Sequence, residues 1–593
     1  MMYLPLLAAC VGGAAAAGER VKRKGGPEPT DFLDDKLARY ALMALGLAVA
    51  VVFIFRSSTR FRAHIRRLMS LNNDSQRYFI RPSQWWAKLK KHGIYAPVFR
   101  NRHNREFRLS SAINMGTLPT RFQAILLIGI LAMNVTLCTT SIAYPLPQSD
   151  VLGVIRNRTG TICVVNMIPL FVMAGRNNPL IRMLNVSFDT WNLLHRWLGR
   201  IVVLEALAHV LCWMIDDVRE DGWAAVQAAI THSSFIMSGF VAMVCFFFLM
   251  VHSPSALRHA FYETFLHLHI AVVMVSLGFL WVHLNDYHQQ NYLLSAIVIW
   301  AFERFIRLAL LAYHNVGNGG TSATVEALPG DAMRITLKMA RPWKFRPGQH
   351  LYLYLPSVGL WTSHPFTVAW SEAEEQMTDE KGLVMSRQDV LALQKTTMSL
   401  VVRRRTGVTD KLFERVNKSV GGRISLGALA EGPYGAHHSL KSYGTVMMFA
   451  GGVGITHHVA FVRQLVAGYT EGMVAARRIT LVWIIQSPEH LEWIRPWMTT
   501  ILGMEKRRDI LKIMLFITRP RNTKEIHSPS STVQMFPGRP NIDTLIEMEA
   551  ENQVGAMGVM VCGTGSLSDD VRRVCRKRQT DSHIDFVEES FSW

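Results

Sequence analysis

The first half of the chain alternates long apolar runs with short polar connections, whereas the second half does not. Seven apolar stretches predict membrane helices: 39–55, 122–143, 160–174, 190–215, 231–251, 262–284 and 290–313. A helix needs roughly 20 apolar residues to cross the hydrocarbon core of a bilayer, so the third stretch is short for a crossing. We therefore predict an α-helical transmembrane bundle of about seven spans. Residues 19–120 hold the first span and a basic segment, and residues 121–314 hold the remaining spans.

The pattern changes after Ala312, where "HNVGNGGTSAT" is a linker rich in Gly, Asn and Ser. Short runs such as "MRITLKM" and "HLYLYLP" follow, and strand-like runs then alternate with helix-like stretches. This order predicts a soluble β domain over residues 319–440 and an α/β domain over residues 441–593. Within the latter, "SPSSTVQMFPGRP" (528–540) predicts a mobile loop.

The amino-terminal segment, "MMYLPLLAACVGGAAAAG" (1–18), has an apolar run followed by small residues, as in a secretory signal peptide. It lacks the basic residues with which such signals usually start. We predict a cleaved signal at 1–18, with a poorly ordered tail as the alternative.

Charge and composition agree with a membrane protein. The chain has 593 residues, a formal net charge of +20 and 49% hydrophobic residues, which is more apolar than a soluble enzyme of this size usually is. Between Arg56 and Arg108 stand fourteen Lys and Arg residues against two acids, directly after the first span. That position is typical of a cytosolic juxtamembrane segment, and no nucleic-acid motif is present, so we predict no nucleic-acid partner. The seven cysteines include no CxxC pair, which argues against a disulfide framework or a zinc site.

Two independent arguments orient the predicted spans. The second half carries nucleotide motifs, described below, and should therefore face the cytosol. Counting the spans backwards from it puts the basic segment inside, as the positive-inside rule prefers, and the acidic loop "DDVREDG" (216–222) outside. We predict a multi-pass protein of the plasma membrane, with the vacuolar membrane as the alternative.

Two of the predicted spans carry paired histidines. "HRWLGRIVVLEALAH" runs from His195 to His209, and "HIAVVMVSLGFLWVH" runs from His269 to His283. Fourteen helical steps return to within about 40° of the starting direction and cover about 21 Å, so both imidazoles of each helix lie on one face. Two such helices would hold two haems one above the other by bis-imidazole coordination, with His195 and His269 on the inner iron and His209 and His283 on the outer one.

Other interpretations of these polar residues exist. A lone intramembrane histidine is often a hydrogen-bonded packing residue, but the identical spacing in two helices makes coincidence a poor explanation. His267 competes with His269 and is disfavoured because it breaks the matched spacing. Glu205, in the first histidine helix, would tune the haem potential or carry protons, although an interhelical hydrogen bond is the favoured interpretation.

Two motifs of the β domain predict contacts with a flat, phosphate-bearing ligand. "HPFTVAW" (364–370) places the Phe366 ring and the Thr367 hydroxyl around one site, with His364 able to contact a phosphate or a ring edge. A β-bulge with a packed Phe is the alternative. "RRRTGVTDKL" (403–412) is a turn containing Gly407 and Thr409 that opens a helix, whose free amides would bind a pyrophosphate. An ordinary N-cap at Thr409 is the alternative there.

Two further motifs each place a glycine-rich turn between a strand and a helix. "VMMFAGGVGITHHVAF" (446–461) has three glycines, Gly451, Gly452 and Gly454, that allow the backbone to approach a phosphate, although the spacing is not G-x-G-x-x-G. "GVMVCGTGSLSDDVRR" (558–573) would place Cys562 near a nicotinamide. The alternative is that Cys562 is a small buried residue.

Together these motifs resemble the fungal ferric/cupric reductases, a flavocytochrome b family in the ferric reductase/NADPH oxidase superfamily. The resemblance covers nearly the whole chain beyond about residue 120 and rests on the paired histidines and on six strings: "SFDTWNLLHRWLGR", "HPFTVAW", "EGPYG", "AGGVGITHH", "VCGTGSLSDDVRR" and "EESFSW". It implies a di-haem transmembrane domain, a β-barrel FAD-binding domain and a ferredoxin reductase-like, NADPH-binding α/β domain. The implied cofactors are two haem b, FAD and NADPH.

The resemblance also implies residue roles. Cys562 would act at the nicotinamide, and Trp593 would cover the flavin ring until nicotinamide displaces it. The other implied cofactor contacts are His364, Pro365, Phe366 and Thr367 for FAD, Gly451, Gly452, Gly454 and Thr456 for the NADPH phosphates, and Gly563 for the nicotinamide. Two departures are His457, where oxidase-type relatives often have Pro, and Thr564, which replaces a common Pro.

The predicted function is a transmembrane metalloreductase. Electrons would pass from cytosolic NADPH through FAD and two haems to ferric chelates or Cu(II) outside the membrane, in support of iron or copper uptake proteins. Acidic residues near the outer haem would attract such cations: Asp216, Asp217, Glu220, Asp221 and Asp286, with His288. A superoxide-generating NADPH oxidase is the alternative enzyme, and a haem-containing channel or transporter with a redox-sensing soluble half is the alternative class.

Overall fold

The computed structural model describes residues 29–71, 73–99, 103–107, 116–140, 148–317, 319–341, 343–360, 362–374, 395–435, 438–520 and 526–589. The predicted signal segment and Trp593 lie outside these ranges. The chain divides into two compact units. The first, helical unit is built from Met1–Ser58, Phe107–Gly116 and Gln123–Ile306, and the second unit from Thr59–Glu106, Thr117–Phe122 and Arg307–Trp593.

Long helices make up the first unit. In chain order they are α1 Pro29–Ser70, α3 Arg121–Thr139, α4 Gln148–Ala174, α5 Pro179–Leu184, α6 Phe188–His232, α7 Ser234–His252, α8 Ser255–Ala260, α9 Tyr262–His283 and α10 Gln290–Asn315. Helix α2 (Gln84–Leu89) belongs to the second unit. Helices α1 and α10 continue into residues of the second unit. Each of the seven predicted spans corresponds to one long helix.

Five of the described helices are long and apolar enough to cross a membrane: Phe32–Ser70, Arg121–Thr139, Phe188–His232, Ser234–His252 and Tyr262–His283. This confirms a helical transmembrane region, but with five candidate spans where seven were predicted. The other two predicted spans lie in α4 and α10, where charged residues stand just before the span in α4 and within the span in α10. Arg156 and Arg158 stand in α4, and Glu303, Arg304 and Arg307 stand in the second half of α10.

Helix α4 lies in the core of the helical unit. Its central residues, Ile162 to Met167, are buried, together with Val202 and Val203 of α6 and Ala242 of α7. Charged residues within membrane helices almost always face the interior of the helix bundle, which fits the buried position of α4. Helix α6 is broken at Gly222, whose φ of 77° only glycine adopts readily.

The predicted FAD-binding domain contains two antiparallel sheets. One has the strand order β5-β6-β2-β1-β7 and the other β4-β3-β8. The bounds are β1 Ser322–Leu328, β2 Ala332–Lys338, β3 Gln349–Tyr354, β4 Ser363–Thr367, β5 Trp370–Glu374, β6 Lys395–Arg403, β7 Arg423–Gly427 and β8 Leu429–Gly435, with α11 Val408–Asn417 between β6 and β7. The strands share one core, but no ladder joins the sheets in the described residues, so the predicted closed barrel is not confirmed.

The α/β domain is a six-stranded parallel sheet with the order β12-β11-β10-β9-β13-β14. Its strands are β9 Thr445–Gly451, β10 Arg478–Ile485, β11 Leu511–Ile517, β12 Val533–Pro537, β13 Met557–Cys562 and β14 Ile584–Glu589. Its helices are α12 Ile455–Thr470, α13 Arg495–Leu502, α14 Arg507–Ile510, α15 Ile542–Glu551 and α16 Gly565–Lys577. The central strands are mostly apolar because helices cover both faces of such a sheet. Strand β12 lies inside the stretch predicted as a mobile loop.

Candidate functional site

The four predicted haem ligands form two pairs of facing imidazoles. The ring centroids of His195 and His269 are 6.5 Å apart, and those of His209 and His283 are 6.3 Å apart. Imidazole nitrogens lie about 2 Å from a first-row metal that they ligate, so two rings on opposite sides of one iron should have centroids about 6 Å apart. Both pairs have the separation that one iron requires.

Hydrogen bonds orient three of the four imidazoles. Nδ1 of His195 lies 3.0 Å from the Leu170 carbonyl oxygen, Nδ1 of His209 lies 2.7 Å from that of Arg156, and Nδ1 of His283 lies 2.9 Å from that of Phe235. A carbonyl only accepts, so Nδ1 carries the proton in each case and Nε2 keeps its lone pair for a metal. The Nδ1 of His269 is buried without a partner among the described atoms, and its ring packs on Phe265.

Two glycines that the sequence analysis did not single out make room for the outer pair. A Cβ at Gly160 would lie 2.7 Å from Nδ1 of His209, and one at Gly239 would lie 2.6 Å from Nδ1 of His283. Both histidines line a cavity of about 530 Å³, which is in the size range of a cofactor pocket. Paired imidazoles, glycine cradles and a cavity fit a haem held by His209 and His283.

The two competing polar residues have other partners. Glu205 is buried and accepts hydrogen bonds from Nδ2 of Asn166 in α4, at 3.0 and 3.2 Å. Asn166 also donates to Asn134 of α3, at 2.7 Å, so Glu205 belongs to an interhelical network, as the sequence analysis favours. His267 is exposed, and its Nδ1 contacts the Glu263 carbonyl of its own helix at 2.7 Å.

The predicted cation-attracting residues do not form a metal site. Among the described residues there is no group of three or more His, Cys, Asp or Glu side chains that could hold a metal ion. The His288 ring lies 3.5 Å from Asp35, and Asp35 also accepts a 2.5 Å hydrogen bond from Tyr292. The acidic residues 216–221, predicted as a loop, instead lie within helix α6, just before its break at Gly222.

The "HPFT" motif forms β4, an edge strand of the three-stranded sheet. Strand β4 pairs with β3 alone, so the missing amide of Pro365 costs no ladder bond. All five of its side chains are partly exposed, which leaves Phe366 and Thr367 accessible to a ligand. On the other side of β3, Glu431 of "EGPYG" accepts hydrogen bonds from Arg307, Tyr354 and Tyr434 at 2.6–2.9 Å and ties β8 to β3.

The "RRRTG" turn begins helix α11 at Val408, with Gly407 as the N-cap. Gly407 has φ 83° and ψ −133°, a conformation that favours glycine, and a Cβ there would meet no atom within 4 Å. Thr409 is not the N-cap. Its hydroxyl accepts from the Arg405 amide at 3.0 Å and closes the turn. The helix start thus has open space in front of it, as a bound phosphate requires.

The two glycine-rich turns lie side by side in the α/β domain. Strands β9 and β13 are neighbours, and the chain leaves them in opposite directions across the sheet, which makes a topological switch point. Ligands of such sheets bind at that point, beyond the carboxyl ends of the strands. A Cβ at Gly454 would lie 2.1 Å from the Cys562 carbonyl oxygen, and one at Gly563 would lie 3.0 Å from the Gly451 amide. The turns pack backbone against backbone, so only glycine fits.

The remaining predicted contacts differ in accessibility. Gly452 has φ 54° and open space beside it, which suits a phosphate. Thr456 is buried, and its hydroxyl donates to the Val453 carbonyl at 2.9 Å. Cys562 is 5% exposed, and burial raises the pKa of its thiol, so it is a neutral thiol and not a thiolate nucleophile. Trp593 lies outside the described residues, and its role stays a prediction.

Three family models match the chain in succession. They are "Ferric reductase like transmembrane component" at residues 159–280, "FAD-binding domain" at 318–438 and "Ferric reductase NAD binding domain" at 443–576. Ferric reductase transmembrane component 3 of Saccharomyces cerevisiae is 25% identical over 84% of this chain and 70% of its own length. The chain belongs to the ferric reductase family.

Other members of the family are similarly related. Ferric/cupric reductase transmembrane component 2 of Saccharomyces cerevisiae is 25% identical over 84% of this chain and 70% of its own length. Ferric/cupric reductase transmembrane component 1 of Candida albicans is 23% identical over 85% of this chain and 67% of its own length. Among solved structures, the flavohemoglobin of Malassezia yamatoensis has a TM-score of 0.32 and 15% identity, covering 75% of this chain and 99% of its own.

Family membership confirms the predicted resemblance and the class of the protein. It is a membrane-associated oxidoreductase with a transmembrane reductase component followed by FAD-binding and NAD-binding domains. The helical unit contains residues 159–280, and the two sheet-bearing domains contain the other two matched ranges.

Proposed function

We propose that this ferric reductase family member moves electrons from cytosolic NADPH across a membrane to ferric chelates or Cu(II) outside. When bound, FAD would accept a hydride and release single electrons, and two haems b would relay those electrons one at a time. The observation that carries the proposal is that α6 and α9 hold two imidazole pairs at different heights along the helices. Each pair has the ring separation of a bis-imidazole iron site.

The histidine ligands supply position and orientation. His195 and His269 would hold the inner haem, and His209 and His283 the outer one. Backbone carbonyls accept from Nδ1 of three of these rings and leave Nε2 available, so a metal would meet ligands that need little reorganisation on binding.

On the cytosolic side, the switch point between β9 and β13 would hold NADPH. The turn at Gly451, Gly452 and Gly454 would cradle its phosphates, with Thr456 supporting that turn, and the Cys562–Gly563 turn would position the nicotinamide. Arg519 is exposed, and its backbone amide donates to the Gln486 carbonyl at 3.0 Å. Arg519 and Ser487, the residue after Gln486, would contact the 2′-phosphate. The terminal Trp593 would cover the flavin in the absence of nicotinamide.

FAD would lie against β4 and the start of α11. His364, Pro365, Phe366 and Thr367 would contact the flavin and ribityl groups, because this edge strand leaves their side chains accessible. Gly407 and Thr409 would shape the turn whose helix amides face the pyrophosphate.

The names of the relatives support the proposed acceptor. Relatives bear the names ferric reductase and ferric/cupric reductase. No cluster of three or more metal-ligating side chains occurs in the described part of the chain. The metal would therefore be a substrate that binds transiently, as a chelate or a free ion. The acidic residues from Asp216 to Asp221 would raise the local concentration of cations. We place the protein in the plasma membrane, where it would serve iron or copper uptake proteins.

A matched pair of variants tests the proposal. The purified wild type should contain about two low-spin haems b and one FAD, and with NADPH it should form Fe(II) that ferrozine detects, in the presence of superoxide dismutase. His269→Leu should lose one haem and this activity. His267→Leu, in the same helix, should keep both because His267 is exposed and bonds its own helix.

The outcomes separate the candidate functions. Full activity in His269→Leu would refute the ligand assignment. If superoxide dismutase abolished Fe(II) formation while NADPH-driven oxygen consumption continued, the protein would be an oxidase. If NADPH drove no transmembrane electron flux at all, the electron-transfer function would be wrong.

A further inference from the structure

The basic segment Thr59–Glu106 is part of the same compact unit as the α/β domain. Nε and Nη2 of Arg66 donate to the carbonyl and hydroxyl oxygens of Ser442, at 3.0 and 2.9 Å. The side-chain amide of Gln76 (Nε2) donates to the Ala475 carbonyl at 2.6 Å. This segment therefore docks on the domain that carries the nicotinamide turn.

The docking includes a buried ion pair beside the last strand. Nζ of Lys90, whose side chain is 1% exposed, lies 2.7 Å from Asp585 of β14 and donates to the Ile584 carbonyl at 3.1 Å. The Tyr443 hydroxyl donates to the same carboxylate at 2.9 Å. A buried charge is stable only when an opposite charge and hydrogen bonds compensate it. The ion pair therefore favours one position of the basic segment on the α/β domain.

The end of the segment reaches helix α16, which follows the Cys562–Gly563 turn. Three consecutive backbone amides, those of His103, Asn104 and Arg105, donate to the Asp569 carboxylate at 2.9–3.2 Å. Asp569 is 7% exposed. A carboxylate that accepts several backbone hydrogen bonds holds the donating chain tightly, because charge-assisted bonds are about twice as strong as neutral ones.

The same turn of chain contacts the helix start and the last strand. A Cβ at Gly565, the first residue of α16, would lie 2.1 Å from the Asn104 carbonyl oxygen, so the backbone passes directly over the helix start. The Asn104 side chain donates to Glu588 at the end of β14, and Arg572 of α16 pairs with that carboxylate. The turn His103–Arg105 thus fixes α16 against β14.

We propose that the turn His103–Arg105 is a positioning element for hydride transfer, with Asp569 as its anchor. The anchored helix begins two residues after Gly563, so its position sets where the nicotinamide turn stands. The strand that it also contacts ends four residues before Trp593. This inference rests on the proposed NADPH site and adds a structural role for a segment far from it in sequence.

The test compares Asp569→Asn with Asp570→Asn in the full-length, FAD-loaded protein. Asp570 is the exposed neighbour on α16, so both variants lose one charge, but only the first breaks the amide contacts. Flavin reduction by NADPH is followed by stopped-flow absorbance over a range of NADPH concentrations. We expect the limiting rate in Asp569→Asn to fall about tenfold or more, the effect of misplacing a reacting group by up to about 1 Å. Flavin content and the limiting rate in Asp570→Asn should match the wild type.

Asn104→Ala provides a second measurement in case Asp569→Asn does not fold. It removes the side-chain bond to Glu588 and leaves the backbone amides, so a smaller fall in the limiting rate is expected. If the folded Asp569→Asn protein, or Asn104→Ala in its place, reduced flavin at the wild-type rate, the positioning role would be overturned. Failure of the wild-type flavin to accept a hydride from NADPH would instead refute the proposed function.

Discussion

The glycine beneath His283 provides a sharp test of the outer haem site. In Gly239→Ala the new Cβ would lie 2.6 Å from Nδ1 and 2.7 Å from Cε1 of His283, whereas ordinary contact begins at 3.4 Å. The ring would have to move by about 0.8 Å, against its 2.9 Å bond to the Phe235 carbonyl. Metal–ligand distances tolerate changes of only about 0.2 Å, so the displaced imidazole should no longer ligate iron.

The assay is the haem content per FAD of the purified protein, together with its reduced-minus-oxidised spectrum. We expect about two haems per FAD in the wild type and about one in Gly239→Ala. Gly160→Ala should behave alike, because its Cβ would lie 2.7 Å from Nδ1 of His209. Gly278→Ala is the matched control, since a Cβ at that position of α9 would meet no atom within 4 Å.

Two results would refute this reasoning. If Gly239→Ala and Gly160→Ala kept both low-spin haems, the imidazoles would not be held where the structure has them. If Gly278→Ala lost haem equally, the loss would reflect general damage to the helices and not the cradle.

Three further changes test other parts of the molecule. Glu205→Leu should lower the free energy of unfolding in detergent by about 1 kcal/mol, because the buried Asn166 side-chain amide loses one of its two acceptors and keeps only Asn134. Asp585→Asn should lower the stability of the second unit by about 3–5 kcal/mol, seen as a fall in its Tm, because Lys90 stays buried with its charge unpaired. Burial lowers the pKa of His458 to about 4 from 6.5, so the unfolded state binds more protons below neutrality. Stability should be full above about pH 6.5 and should fall towards pH 4, by about 2 kcal/mol at pH 5 in denaturant titrations.

Each of these has a control. Glu205→Gln keeps an acceptor for Asn166 and should be close to the wild type, so equal destabilisation by Gln and Leu would contradict the hydrogen-bond explanation. An unchanged Tm in Asp585→Asn would show that Lys90 finds another partner. Replacing His458 by Gln should flatten the pH dependence of unfolding, and an unaltered slope would assign it to other groups.

The local patterns of the sequence were sufficient for several features. Fourteen-residue spacing puts two histidines on one helix face whatever surrounds the helix, because helical periodicity is a property of the backbone. Apolar runs predicted the helical region, and glycine-rich strand–turn–helix strings predicted both turns of the α/β domain. These features depend on residues close together in the chain.

Tertiary structure decided what depends on distant residues. Gly160 and Gly239 are ordinary helix residues until another helix brings an imidazole against them, so no local signal marks them. The sequence analysis interprets the basic segment only as a cytosolic juxtamembrane segment. In the structure, Arg66 and Lys90 dock on the α/β domain because complementary carbonyl and carboxylate groups meet them there. Periodicity is local and could be predicted; contacts between distant segments arise only when the chain has folded.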